Sequence, residues 1–139
     1  MPPRDSLGRL LNLATAAANT RGNDMLAVHG LTLGHWVLLS ALWRSDGLLV
    51  SELAEYSGNN VPAASRMVDR MVEAGLVERR GDDNDRRAVR VFLTGHAKTM
   101  SSLCGFYHSV NEVLMAGFSP QERNQLLDLL ARVAANARG

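Results

Sequence analysis

The feature that most constrains this chain is a change of hydrophobic period near its middle. Apolar residues recur at helical spacing from Val61 to Gly75, and they then alternate in two short runs, Leu76–Arg80 and Ala88–Leu93. The polar segment GDDNDRR between the runs is typical of a hairpin tip. The sequence therefore predicts a helix that is followed directly by a charged two-stranded hairpin.

A shorter helix is predicted just before this one. Ser51 is the expected N-cap of the shorter helix and Gly58 its expected end. Asn59 and Asn60 can each cap the next helix, and Pro62 is tolerated in its first turn. The predicted buried stripe of that second helix is Ala64, Met67, Val68, Met71 and Val72.

Helical patterns flank this central region on both sides. One runs from the N-terminus to about Thr20, and breaks are expected at residues 21–24 and at Gly30. The next helix is capped by Thr32 and ends near Asp46-Gly47. Helical periodicity returns over residues 94–115, and Ser119-Pro120-Gln121-Glu122 begins a final helix that reaches about Ala137. The predicted fold is mainly α with a small β-hairpin wing, a winged helix-turn-helix flanked by terminal helices.

This layout suits a DNA duplex. The N-terminal end of the helix that begins near Val61 can enter the major groove, and the hairpin tip can reach phosphates or the adjacent minor groove. Ser65 and Arg66 are the best donors to bases or phosphates on the outer face of that helix, and Ala63 could pack against a thymine methyl.

The segments AASRMVDRMVEAGLVERR and DDNDRRAVRVFLT also resemble the recognition helix, first wing strand and wing of the multiple-antibiotic-resistance regulator (MarR) family. Asp85, Arg87 and Val91 match the D-x-R-x-x-x-V spacing of that family's wing. The resemblance implies that Arg87 reaches into the minor groove and that Asp85 helps to orient it. It covers about residues 31–94, the predicted DNA-binding lobe of a single domain over residues 1–139, in which residues 5–20 and 95–137 correspond to dimerisation helices.

Pro62, Ala63 and Ala64 stand where the family usually carries small hydroxyl or β-branched residues. The start of the recognition helix is therefore expected to offer few hydrogen-bond donors. The predicted DNA contacts are Asn60, Pro62, Ala63, Ala64, Ser65, Arg66, Arg70, Asp85, Arg86 and Arg87.

The terminal helices carry more apolar surface than one winged helix can cover. The final helix alone contributes Leu126, Leu127, Leu129, Leu130 and Val133. We therefore expect a homodimer, whose two recognition helices would lie one DNA turn apart, roughly 34 Å, on a palindromic operator.

The resemblance further implies a small-molecule effector that binds between the dimerisation helices and the DNA-binding lobe. Aromatic walls with a cation or an imidazole suit phenolic or aromatic carboxylate ligands. The candidate ligand residues are Arg21, His29, His35, Trp36, Tyr56 and His108. The alternative interpretation is that Trp36 belongs to the core and that the histidines make ordinary hydrogen bonds.

Composition excludes several classes and leaves others open. A net charge of +1 gives nucleic-acid binding no general support, and the lone Cys104 excludes a thiolate zinc site. No apolar run is long enough to cross a bilayer and no secretory signal is recognisable, so we expect a cytoplasmic protein. No motif indicates an enzyme or a cofactor. A winged helix used for protein–protein contact, a metal sensor built from the four histidines, and a redox switch at Cys104 remain as alternatives.

Overall fold

The computed structural model describes residues 4–139 and confirms a mainly helical fold with a small antiparallel wing. One compact unit ends at Phe106, and Tyr107–Gly139 form a second. Short 3₁₀ helices lie at Ala27–His29 and Ser101–Gly105. The other elements are α1 (Leu7–Leu26), α2 (Leu33–Arg44), β1 (Leu48–Leu49), α3 (Val50–Ser57), α4 (Val61–Glu73), β2 (Val77–Gly81), β3 (Val89–Leu93), α5 (Gly95–Thr99), α6 (Tyr107–Leu114) and α7 (Pro120–Arg138).

Helix α1 continues to Leu26, so the predicted break at residues 21–24 is wrong. Gly22 is buried against α2, where a Cβ would lie 3.1 Å from Leu33 Cδ2. Asn23 Oδ1 accepts a hydrogen bond from the Leu33 backbone N–H at 2.7 Å. The glycine and the asparagine thus serve helix packing, and the chain turns only at Gly30, whose φ is +71°.

Helix α2 forms the centre of the first unit. Thr32 caps it as predicted, since its Oγ1 accepts from the His35 N–H at 3.1 Å. Leu38, Leu39 and Leu42 are almost completely buried. This burial places α2 among α1, α3 and the wing, so its apolar side chains anchor the elements around it.

Helices α3 and α4 form the helix-turn-helix. Helix α3 begins at Val50, and the predicted N-cap at Ser51 is wrong because Glu52 Oε1 accepts from the Leu49 N–H at 2.9 Å instead. Of the two predicted caps, Asn60 is the one that caps α4, with Oδ1 accepting from the Ala63 N–H at 2.8 Å. Ala64, Val68 and Met71 form the buried stripe of α4 and Met67 is half-buried, whereas the predicted stripe residue Val72 is exposed.

The wing belongs to a three-stranded antiparallel sheet of order β1-β3-β2 within residues 4–139. Val77 pairs with Leu93, and Arg79 pairs with Val91. The strands begin one residue later than predicted, at Val77 and Val89. The sequence pattern missed β1, because two residues are too short to show alternation and become a strand only by pairing with β3.

The predicted continuous helix over residues 94–115 is interrupted. Thr94 Oγ1 caps the short α5 by accepting from the Ala97 N–H at 3.2 Å, and the chain then passes through the 3₁₀ helix. Two serines and a glycine in that 3₁₀ helix have low helix propensity, which accounts for the break. Cys104 lies there, half-buried, with Sγ 4.0 Å from the Ser40 carbonyl oxygen.

The second unit consists of α6 and α7. The predicted capping box at the start of α7 is confirmed: Glu122 Oε1 accepts from the Ser119 N–H at 2.8 Å, and Ser119 Oγ accepts from the Glu122 N–H at 3.1 Å. Arg123 Nη1 lies 2.7 Å from Glu112 Oε1 and joins the two helices by an ion pair. The hydrogen bond from the Arg123 guanidinium lowers the pKa of Glu112, and the Glu112 carboxylate raises the pKa of Arg123.

No single helix in residues 4–139 is long and apolar enough to span a membrane. Leu7–His29 and Leu33–Arg44 reach the required length and composition only together, and they are bent by 68° at their junction.

We expect Gly47→Ala to destabilise the first unit more than Gly58→Ala does. Both glycines have positive φ, +77° and +74°, so both substitutions carry a backbone cost of roughly 1–2 kcal/mol. Only the Cβ at Gly47 would be crowded, at 2.7 Å from Phe92 Cε1. We expect this contact to add about 1–3 kcal/mol to the loss of unfolding free energy, measured by urea denaturation. Equal losses for the two variants would contradict the crowding at Phe92.

Candidate nucleic-acid interface

The N-terminal half of α4 presents most of the predicted major-groove residues. Asn60, Pro62 and Arg66 are exposed, and Ala63 and Ser65 are half-buried. Ala64 is completely buried beneath them. Its methyl group packs into the core and offers a duplex no surface, so Ala64 is removed from the set of candidate contacts.

The wing tip is shaped by two aspartates that accept hydrogen bonds from the backbone. Asp85 Oδ1 accepts from the Arg87 N–H at 2.9 Å, and Asp82 Oδ1 accepts from the Asn84 N–H at 3.0 Å. Asp85 thus fixes the main chain at Arg87 rather than its guanidinium. The side chains of Arg86 and Arg87 are exposed at this tip.

Arg90 supports the base of the wing through two contacts. Arg90 Nη1 donates to the Gly47 carbonyl at 2.8 Å, and Arg90 Nη2 lies 3.3 Å from Asp82 Oδ2. The Asn84 N–H, and then Arg90, lower the pKa of Asp82. Because Asp82 stays ionised, the tip remains joined to the strand that pairs with β1.

Arg79 is a residue of this region that the sequence analysis missed. It lies on β2, and its Nη2 donates to Ser65 O at 2.9 Å and to Ser65 Oγ at 3.0 Å. Its Nη1 forms an ion pair with the Asp69 carboxylate. Strand alternation could have indicated it, because Arg79 shares a side of the strand with the buried Val77 and therefore points toward α4.

Intramolecular pairing divides the arginines of α4 and the wing into two groups. Arg79, Arg80 and Arg90 form ion pairs with Asp69, Glu78 and Asp82, respectively. Arg80 also stacks 4.4 Å from the centre of the Phe92 ring. Among residues 4–139, the arginines of this region without an acidic partner are Arg66, Arg70, Arg86 and Arg87.

A cleft of about 420 Å³ lies between α4 and the wing. It brings Ser65 of α4 together with Arg79 of β2 and Arg87 of the wing tip. Its remaining walls are Leu49, Val50, Ser51, Val61, Asp69, Ala88 and Val89. Ser65 and Arg87, which the sequence proposed for different grooves, therefore line one continuous surface.

A second cleft, of about 410 Å³, lies where α1, the start of α2 and α4 meet. Asn19, Asn23, Thr32, Leu33, Gly34, His35, Met67 and Arg70 line it. His35 is the one residue of the predicted ligand set among these, and it shares the cleft with the predicted DNA contact Arg70.

The other predicted ligand residues are not brought into that cleft. Trp36 is buried, and its indole N–H donates to the Leu103 carbonyl at 2.7 Å. Tyr56 is exposed with its hydroxyl 3.3 Å from Ser40 Oγ, and Arg21 is exposed on α1. His29 meets the Phe106 ring edge-on at 6.0 Å between centroids. His108 is exposed in the second unit, beside Tyr107.

The part of the chain that the structure describes contains no group of three or more His, Cys, Asp or Glu side chains placed to hold a metal ion. The metal-sensing alternative thus gains no support from the geometry.

The comparisons with known proteins agree with this architecture. The sequence profile of the MarR family matches residues 31–89. The HTH-type transcriptional regulator TtmR of Methylorubrum extorquens is 32% identical over 120 residues, which are 84% of this chain and 60% of TtmR. The match thus spans less than two thirds of TtmR.

Solved structures extend the likeness over nearly the whole chain. A mutant of MarR from E. coli complexed with operator DNA is 26% identical, with a TM-score of 0.82 over 93% of this chain and 94% of that one. A probable transcriptional regulator from Pseudomonas aeruginosa is 24% identical, with a TM-score of 0.83 over 93% of this chain and 97% of that one, and shares the fold. The helix pair and wing define a winged helix-turn-helix protein. Residues 31–89 match the MarR family, and nearly the whole chain is similar in fold to MarR from E. coli.

We expect the stability of the first unit to fall at acidic pH because of His35. Its Nδ1 accepts from the Thr32 N–H at 3.4 Å, which requires an unprotonated nitrogen. Burial lowers the pKa of His35, and the charge of Arg70 lowers it further. Because the pKa of His35 is lower in the folded state than in the unfolded state, the neutral imidazole stabilises the fold at pH values above the unfolded-state pKa, about 6.5. This stabilisation is lost as the pH falls through the folded-state pKa.

The variant His35→Gln checks this expectation, since a glutamine oxygen can accept from the same N–H and does not titrate. Unfolding free energies of parent and variant, measured between about pH 7.5 and about pH 5, should diverge toward acid, with the variant losing less. His96→Gln, at an exposed position of α5, is the matched control. Parallel pH curves for parent and His35→Gln would show that His35 is not responsible.

Proposed function

We propose that this protein is a homodimeric, ligand-responsive repressor that binds a palindromic operator through α4 and the wing. The observation that supports it most is the group of arginines left without acidic partners, Arg66, Arg70, Arg86 and Arg87, on the two elements that a winged helix presents to a duplex. Binding to chromosomal DNA would place the protein in the cytoplasm.

The proposed division of labour follows from where these groups lie. Arg66 and Ser65 are on the outer face of α4 and would contact bases or phosphates in the major groove. Arg87 would enter the minor groove from the wing tip, with Arg86 beside it on phosphate. The relative solved with operator DNA, MarR from E. coli, supports this use of the same fold.

The apolar surface of the terminal helices supports the proposed dimer. On α1, Leu7, Leu10 and Leu13 are about half exposed. In the second unit, Val113, Leu114, Phe118, Leu127, Leu129 and Leu130 are also exposed. Leucines in such numbers on single helices are typical of surfaces that a partner subunit covers.

The cleft beside His35 supports the proposed response to a ligand. Its volume suits a small molecule, and it combines the guanidinium of Arg70 with an imidazole and the thioether of Met67. A phenolic or aromatic carboxylate would match this set. Because Met67 and Arg70 belong to α4, such a ligand would act directly on the recognition helix.

The proposal is tested by selecting bound sequences from a random DNA pool and by changing Arg87. We expect a palindrome with half-sites one turn apart. For Arg87→Ala we expect a loss of affinity of about tenfold or more and a decrease of about 2 in the slope of log affinity against log salt, because the dimer loses one cationic contact in each subunit. Fluorescence anisotropy with the selected palindrome at several salt concentrations measures both, and dimerisation should be unchanged.

Lys98→Ala, which removes an exposed cation from α5, is the control for nonspecific loss of charge. Unchanged affinity and slope for Arg87→Ala would contradict the role given to the wing. If no sequence is enriched at all, the winged helix used for protein contact becomes the better account, and its complexes should respond little to salt.

We expect the double variant Leu127→Glu, Leu130→Glu to dissociate the dimer. The two side chains lie three residues apart on one face of α7, so buried charges would meet in the interface. Light scattering at micromolar protein should report monomers, and affinity for the full palindrome should fall toward that for a single half-site. Gln125→Glu adds a charge to the same helix without removing apolar surface, and should stay dimeric. A dimeric double variant would exclude this face as the interface.

A further inference from the structure

The guanidinium of Arg79 contacts three acceptors on one face of the recognition helix. These are Ser65 O at 2.9 Å, Ser65 Oγ at 3.0 Å and the Asp69 carboxylate. Ser65 and Asp69 are one turn apart on α4, whereas Arg79 belongs to the first wing strand. A single planar cation therefore joins the recognition helix to the wing.

This contact restricts where the Ser65 hydroxyl proton can point. Arginine has only donors, so the Ser65 oxygen must accept from Arg79, and its own proton points elsewhere. Other hydroxyls in helices of this chain donate to their own helix, as Ser40 Oγ does to Val37 O at 2.7 Å and Ser57 Oγ to Ala54 O at 3.2 Å. Ser65 makes no such bond to its own helix in the described structure, so its proton remains available to an outside acceptor.

The same contact neutralises a charge that would repel DNA. The Asp69 side chain is more than half exposed on the helix that would face phosphates, and its ion pair with Arg79 offsets its negative charge. Arg79 itself is two thirds covered, with 31% of its side chain exposed. It is therefore placed to act through its neighbours rather than on the duplex.

We propose that Arg79 is a positioning residue for sequence recognition: it holds Ser65 as a proton donor toward the major groove and screens Asp69 from the DNA backbone. The proposal rests on the proposed function, since it assigns a role within DNA binding. Ser65 would then favour sites that present an acceptor, such as guanine N7 or O6, thymine O4 or a phosphate oxygen, at its position.

The test is a double-mutant cycle on the intact protein with the selected palindrome and single-base variants of it. Ser65→Ala, Arg79→Gln and the double variant are compared for discrimination, the ratio of affinities for the palindrome and each variant site. We expect Ser65→Ala and Arg79→Gln each to reduce discrimination about five- to tenfold at the same base pair, and the double variant to reduce it no further. Arg80→Gln, one residue along the strand and on its other side, should leave discrimination unchanged.

Arg79→Lys separates positioning from a structural role. Lysine keeps the charge beside Asp69 but lacks the planar fork that reaches both Ser65 oxygens, so the variant should unfold at the same urea concentration as the parent. We expect it to lose discrimination at the same base pair as Ser65→Ala. It therefore remains informative if Arg79→Gln fails to fold.

Multiplicative effects of Ser65→Ala and Arg79→Gln, or a loss of affinity that is uniform over all sites, would overturn the positioning role. Full discrimination by Arg79→Lys would overturn it as well, because charge alone would then suffice. If the parent protein enriches no DNA sequence, the proposed function itself fails, and there is no palindrome on which to measure the double-mutant cycle. The two failures are thus distinct, since the first requires a parent protein that discriminates among sites.

Discussion

The burial of α2 is the constraint on which the first unit depends. Leu38, Leu39 and Leu42 have almost no exposed surface, and at about 2 kcal/mol for each buried leucine this helix supplies much of the hydrophobic stabilisation. Its two tryptophans are also fixed, because Trp43 Nε1 donates to Ala97 O at 3.0 Å and Trp36 Nε1 donates to Leu103 O. Helix α2 thus holds the chain after the wing, and the helix-turn-helix packs on the same core.

Val77, Val91 and Leu93 bury the base of the wing in this core, and polar contacts add further links between the wing and its neighbours. Asp46 Oδ1 accepts from the Leu93 N–H at 2.9 Å, which joins the end of α2 to the end of β3. Arg90 joins the base of the wing to Gly47, and Arg79 joins the wing to α4. Each of these side chains links two elements of the first unit by a hydrogen bond. The surface proposed for DNA is therefore held by ionic and hydrogen-bonded contacts at its edges.

Local signals predicted the elements of this fold more reliably than the contacts between them. Asn60 and Gly75 gave the ends of α4 because capping and positive φ are properties of single residues. Gly22 misled because the same residue type also permits close helix packing, and only the position of Leu33 separates the two uses. The ligand set was predicted from residue type, and of its members in the first unit only His35 lines the cleft where α1, α2 and α4 meet. In both cases the outcome depends on which residues are neighbours in the folded protein, and the sequence does not give those neighbours.

The arginines and aspartates of the wing admitted two interpretations, a self-neutralised turn or a cationic surface, and the structure shows that each describes part of the segment. Pairing neutralises Arg79, Arg80 and Arg90, and it leaves Arg66, Arg70, Arg86 and Arg87 without acidic partners in the described α4 and wing. The donor-poor start of α4 fits this arrangement. With Pro62 lacking an N–H and Ala63 lacking a polar side chain, a Ser65 hydroxyl whose oxygen accepts from Arg79 would have more influence on sequence preference than it would among several donors. Specificity would then depend on a contact between the wing and the helix, not on either element alone.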